Sequence, residues 1–304
     1  MLMIGWIARQ GYEKEWITAI NARDAMGMKK IARQLTPPIV TNLFRRHRTT
    51  GGEMPRFASY DAALAYCSGI GYEHDKLIEA IRWSTELLRD RLAAERPLEI
   101  EGIDFKYLTA MERAVRDGEL HVIDFGGACG GHYFRARAYF GDRVKLRWHV
   151  VETPTMVREA RKLESEELRF HESVEIAREA CPDADMMFTS GAIVYTPDPL
   201  AFTRRIVSAN ARFLYISRQG LLEDNRTVIT LQQRKISKGV RPLPPGMEDS
   251  TLSYPVTWVP RAAFEAVIRE GYEIELHITE EEEHFTLDGR TYRANGYLAR
   301  RSGA

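Results

Sequence analysis

The pattern of apolar and polar positions changes texture near residue 119. Ahead of that point apolar residues recur at helical spacing. Trp6, Ile7, Trp16, Ile17, Ile20, Met28, Ile31 and Leu35 mark one long helix or two short ones that stop at Pro37-Pro38. After a polar, glycine-containing stretch, helical patterns resume over residues 60–67, 74–96 and 104–117. Behind residue 119, short β-rich runs at 121–125, 146–151, 168–170, 186–189 and 213–217 alternate mostly with helical patterns, which reads as βαβ units on a parallel sheet. A helix at 260–270 and two strands at 272–279 and 292–299 follow, closing the sheet with an antiparallel hairpin. Glu280 to Glu283 read as an exposed turn between those strands, and "SKGVRPLPPGMEDSTLSYP" (237–255) reads as one long loop of the kind that forms lids. The expected organisation is an all-helical cap over residues 1–118 and a doubly wound, Rossmann-like α/β domain over 119–304.

Composition narrows the setting. At 304 residues the chain can bury a large core without disulfides. Cys67, Cys129 and Cys181 are odd in number and contain no CxxC pair, which argues against a disulfide framework and against a zinc site, so no metal and a reducing, cytoplasmic location are expected. Lys+Arg and Asp+Glu balance at 43 each, so the chain lacks the positive field that draws proteins to nucleic acid. The opening "MLMIGWIARQ" is broken by Arg9 and Gln10, and no segment supplies the roughly 20 apolar residues of a membrane helix, so neither nucleic acid nor membrane is an expected partner. Arg45-Arg46-His47-Arg48 reads as a solvated face. The aromatic stripe Trp6, Tyr12 and Trp16 reads as core, with packing against a second subunit, as in a homodimer, as the alternative.

The chemistry concentrates in "HVIDFGGACGGHYFRARAYF" (121–140). Gly126, Gly127, Gly130 and Gly131 fall in the first β-to-α turn, where an open parallel sheet admits ligands close to its backbone. The same glycines would also serve a tight turn that only packs helix on strand. The next strand ends "WHVVE", which places Glu152 beside the first turn, where a carboxylate can accept both hydroxyls of a ribose; its alternative is a solvated acid capping the helix from Pro154. A dinucleotide turn would be GxGxxG, with pyrophosphate on the helix N-terminus. Here the spacing is GGxxGG with Asp124 at the strand end, and an acid there repels pyrophosphate but suits the ammonium of S-adenosylmethionine (SAM). An NAD-dependent reductase is therefore the distant alternative.

At this point the chain resembles a known family. "VIDFGGACGGHYF", "WHVVETPTMV", "FTSGAIVYTPDP", "FLYISRQ" and "YPVTWVPRAAFEAVIREGYEIE" are similar, in that order, to the landmarks of a bacterial family of class I SAM-dependent methyltransferases, over roughly residues 55–300. The resemblance implies a Rossmann-like methyltransferase sheet and SAM as cofactor. It implies Asp124, Gly126, Gly127 and Gly130 around the amino-acid moiety, Glu152 on the ribose, His171 and Glu172 at the adenine, and Ser190, Gly191 and Tyr195 facing the sulfonium. The sequence departs from the usual family turn at Ala128-Cys129, where Cys129 reads as a small packing residue or, alternatively, a reactive thiol.

The expected reaction is methyl transfer to a small-molecule substrate, a metabolite or glycan precursor, which needs alignment more than it needs a metal. His132 is the nearest candidate base, and Tyr195 and Tyr133 are candidates to surround a sulfonium with aromatic faces. No other base is legible near the fifth strand. That leaves a second chemistry known among proteins resembling the family: intramolecular cyclisation of SAM to azetidine-2-carboxylate with release of methylthioadenosine, in which the helical front would be the lid.

Overall fold

A computed structural model of the chain describes residues 55–94 and 97–303. The expected helices before residue 36, the Trp6–Tyr12–Trp16 stripe and the basic run at Arg45 lie outside the described residues. Among the described residues three helices come first: α1 (Tyr60–Tyr66), α2 (Asp75–Ala94) and α3 (Gly102–Ala114). The Ser59 hydroxyl caps α1 by accepting from the Ala62 N–H, the usual way an orphan donor of the first turn is satisfied.

The alternating region then builds β1 (Glu119–Phe125), α4 (Gly131–Phe140), β2 (Lys145–Val151), α5 (Pro154–Ala160), β3 (Leu168–His171), α6 (Val174–Ala180), β4 (Met186–Ser190), α7 (Pro199–Ser208) and β5 (Phe213–Gln219). Three of these four helix starts are written locally. Thr153, Ser173 and Asp198 cap α5, α6 and α7, and Pro154 and Pro199 stand in the first turns of α5 and α7, where a missing N–H costs nothing. After β6 (Leu221–Leu222), β7 (Val228–Lys235) and β8 (Thr251–Pro260) come α8 (Arg261–Ile268), β9 (Tyr272–Leu287) and β10 (Arg290–Arg301).

The main sheet has the order β3-β2-β1-β4-β5-β10-β9. Strands β1 to β5 are parallel, β10 runs antiparallel to β5, and β9 antiparallel to β10. Both faces are covered, so the central strands are apolar throughout. Leu120, Val122, Trp148 and Phe188 pack with Tyr107 and Met111 of α3 and Ala136 and Phe140 of α4 on one face. Ile123, Met187 and Ile216 meet Ala177 of α6, Ile206 of α7 and Phe264 of α8 on the other. Chain order reverses between β1 and β4, and the carboxyl ends of strands flanking such a switch point form the ligand crevice of an open α/β sheet.

A second sheet, β6-β8-β7, rises beside the first, and the front segment pairs with it through single bridges from Phe57 to Ile229 and from Ile70 to Leu252. This corrects the expected long loop over 237–255. Strand β8 already begins at Thr251 and pairs along its length with β7, itself unanticipated. The second half of β7, Gln232 to Lys235, is polar because it faces outward, and Pro255 interrupts the β8 pattern, so neither run looks like a buried strand. The acidic turn is also corrected. Strand β9 runs through Glu280 to Leu287, the reversal is made by Asp288-Gly289 at positive φ, and Glu280 is 1% exposed. Among the described residues, no helix is long and apolar enough to cross a membrane.

Candidate functional site

The glycine turn after β1 is tied to β2 by the Gly126 N–H, which donates to the Val151 carbonyl at 2.9 Å. Gly126 has φ +73°, and a Cβ there would meet the Ala192 methyl at 2.3 Å. Gly127 is glycine for a different reason: a Cβ would sit 2.4 Å from Asp124 Oδ2. The carboxylate thus lies directly beneath the turn. Ala128, half of the departure from the family pattern, holds a left-handed φ of +49°, a strained conformation for a residue with a side chain. Cys129 is fully buried with its sulfur 3.7 Å from that of Met156, and burial pushes its thiol up to about 12, the setting of a packing residue.

Two buried carboxylates frame the turn. Asp124 Oδ2 accepts from the Trp148 indole N–H at 3.1 Å and lies 3.2 Å from His132 Nδ1, while Oδ1 has no partner. Glu152, 6% exposed, accepts at Oε1 from the Ala128 N–H (3.0 Å) and the Tyr72 hydroxyl (2.8 Å), and at Oε2 from the Thr153 N–H (3.0 Å). Burial raises its pKa, against the pull of those three hydrogen bonds. The solvated-cap alternative for Glu152 therefore fails, because the α5 cap is Thr153. His132 stands edge-on to Tyr107 and Phe188, which fix its ring over the turn.

Across the switch point, the Ser190 hydroxyl accepts from Ser217 (2.7 Å) and from Arg218 Nε (3.0 Å), and Arg218 Nη2 donates to the Ser190 carbonyl at 2.8 Å. The Arg218 backbone N–H donates to Glu280. Gly191, at φ +69°, leaves room for this guanidinium, since a Cβ would lie 3.1 Å from Arg218 Nε. Tyr195 donates its hydroxyl to Gln232 at 2.7 Å, stands edge-on to Tyr254, and accepts at its carbonyl from the Tyr60 hydroxyl at 2.7 Å.

The expected residues do not all converge. Asp124, Gly126, Gly127, Gly130, His132 and Glu152 form one connected group, and Ser190 and Gly191 line the neighbouring strand end. His171 sits at the end of β3 with Nε2 2.8 Å from His149 Nδ1, its carbonyl accepting from the Glu152 N–H, and Glu172 beside it is exposed. Tyr133 is a correction. It is buried in the core, donates its hydroxyl to Glu167 before the start of β3 and packs against Trp148, so its hydroxyl is committed away from the glycine turn. Tyr72, Arg218, Glu280 and Gln232 are contributors that sequence reasoning missed. Only Arg218 carried a local signal, in the "FLYISRQ" segment at the end of a predicted strand.

No protein-family model matches the chain, and no curated protein matches it. Solved structures similar to it include a SAM-dependent methyltransferase from Clostridium acetobutylicum (9% identity, 72% of this chain and 98% of that one, TM-score 0.45). They also include the sugar N-methyltransferase KedS8 from a Streptoalloteichus species (14%, 84% and 99%, 0.40) and human N-acetylserotonin methyltransferase in complex with SAM (13%, 74% and 59%, 0.36). The fold is Rossmann-like. Its sheet is closed on one side by an antiparallel β10 between β5 and β9.

Proposed function

We propose that the protein binds SAM at the turn between β1 and α4 and transfers its methyl group to a small molecule. The observation that carries this reading is the pair of buried carboxylates on one glycine turn: Asp124 beneath Gly127 with an unpartnered oxygen, and Glu152 held against the Ala128 N–H. Asp124 Oδ1 suits an ammonium, and Glu152, with three of its roughly four acceptor sites taken, keeps one at Oε2 for a ribose hydroxyl. The donor supplies an electrophilic methyl on a sulfonium. The chain orients it, and His132, with Nδ1 beside Asp124, presents Nε2 as the atom to take a proton from the acceptor. Pyrophosphate of a dinucleotide would meet the Asp124 charge at close range, which weighs against the reductase reading.

The front segment reaches the site through Tyr72 on Glu152 and Tyr60 on the Tyr195 carbonyl, which supports a role for these helices as a cover. No contact at the site favours cyclisation of SAM over methyl transfer. Two measurements test the proposal. Titration calorimetry should find SAM binding in the wild type and about a tenfold or greater loss in Glu152→Gln, the scale of a hydrogen bond to a charged group. Absence of SAM binding, or tighter binding of NADH, would overturn it. Incubation with SAM and no acceptor should leave SAM unchanged beyond a heat-killed control, whereas methylthioadenosine with stoichiometric azetidine-2-carboxylate would replace methyl transfer by cyclisation.

A further inference from the structure

At the opposite, amino-terminal end of the parallel strands, where β1 begins, His121 is buried with 7% of its side chain exposed, and neither ring nitrogen makes a hydrogen bond. Its Nδ1 lies 3.1 Å from Asp183 Oδ2, in the connection between α6 and β4. Cys181, the residue that ends α6, is 3% exposed. One donor atom from each of the three residues falls within 4.8 Å of the others. A cavity of about 250 Å³ opens beside His121 between Glu119, Arg147 and Glu167, which gives the cluster a path to solvent.

We propose that His121, Cys181 and Asp183 form a binding site for a zinc-class divalent cation. An imidazole nitrogen, a thiolate and a carboxylate are the mixed donors that zinc and cobalt(II) accept in tetrahedral geometry, whereas calcium and magnesium demand oxygen alone. The 3.1 Å separation of Nδ1 and Oδ2 is close to an edge of a tetrahedron with donor bonds near 2 Å. Three protein donors leave a fourth position for water, and Asp183, with 55% of its side chain exposed, keeps that position reachable. The cation would satisfy the His121 nitrogen that the fold leaves without a hydrogen bond, and the Cys181 proton would pass to solvent as the metal–sulfur bond forms. The expectation that no metal site exists rested on the missing CxxC pair. Here the fold gathers donors from β1 and from a C-x-D step more than fifty residues later in the chain, which spacing alone does not reveal.

The test is cobalt(II) titration of the metal-stripped protein, read by absorption, with zinc content of the purified protein measured by mass spectrometry. The expected result is one equivalent of metal, with thiolate-to-cobalt charge transfer and the intense visible bands of tetrahedral cobalt. Cys181→Ser should abolish the charge-transfer band and Asp183→Asn should weaken binding at least tenfold, while Cys67→Ser changes neither. No uptake by the wild type, or uptake unaltered in both site variants, would overturn the proposal. Asp183→Asn, on an exposed side chain, keeps the test decisive if Cys181→Ser does not fold. Because the readout is spectroscopic and the site lies at the amino-terminal end of the strands, its failure is distinguishable from a failure to bind SAM.

Discussion

A carboxylate with no exposed surface and one unpartnered oxygen is costly to keep, and Asp124 keeps it beneath the backbone of Gly127. Gly127→Ala forces a methyl group to 2.4 Å from Asp124 Oδ2, so the turn must shift. It should cost about 1–3 kcal/mol of stability, the scale of overpacking, and weaken SAM binding at least tenfold, measured by chemical denaturation and calorimetry. His132→Gln should lower turnover by about 10²-fold or more, the scale of a lost general base, with a small change in SAM affinity. Tyr133→Phe removes the hydroxyl's hydrogen bonds to Glu167 and Ser165 and should cost about 1 kcal/mol while leaving turnover and SAM affinity at wild-type values. At this scale the sequence was readable where the site is local. The glycines, Asp124 and Glu152 belong to consecutive strand–turn–helix units, and each residue type announces its task. Tyr72 meets Glu152 from 80 residues away and Glu280 meets Arg218 from 62, contacts that no short window contains.

Among the elements, the pairing of β2 with β3 creates a stacked histidine pair, His149 and His171, on the α6 side of the sheet. Burial, then the neighbouring His171, His121, Arg147 and Arg169, lower the pKa of His149 from 6.5 to about 4, and burial also lowers His171 despite the opposing pull of Glu164. Groups held neutral in the fold but protonated in the unfolded chain stabilise fully above the unfolded pKa, and that contribution drains away as pH falls toward the folded one. Thermal stability should therefore drop between pH 6.5 and about 4, and His149→Gln should flatten the decline relative to wild type across that window. The β1–β5 strands and the helices between them were legible because buried parallel strands are short apolar runs and α5, α6 and α7 carry side-chain caps. Strands β7 and β8 were not, since outward-facing Gln232 to Lys235 and the interior Pro255 mask the period-2 pattern.

For the whole molecule, a ligand that binds only the folded chain stabilises it by mass action. SAM at a hundred times its dissociation constant should raise unfolding free energy by about 2.7 kcal/mol, visible as a higher Tm in scanning calorimetry, and Glu152→Gln should lose most of that shift at the same SAM concentration. Strand β10 follows every other strand in the chain, yet it lies between β5 and β9 and is the neighbour that completes β5. As the chain leaves the ribosome, β5 must wait with an open edge until β10 has emerged, and Ser217 and Arg218 sit on that waiting strand. The half of the site made by β1 and β2 can close early in synthesis. The half made by β5 closes last, and the interval between them is when the nascent chain most needs protection from other sheet edges.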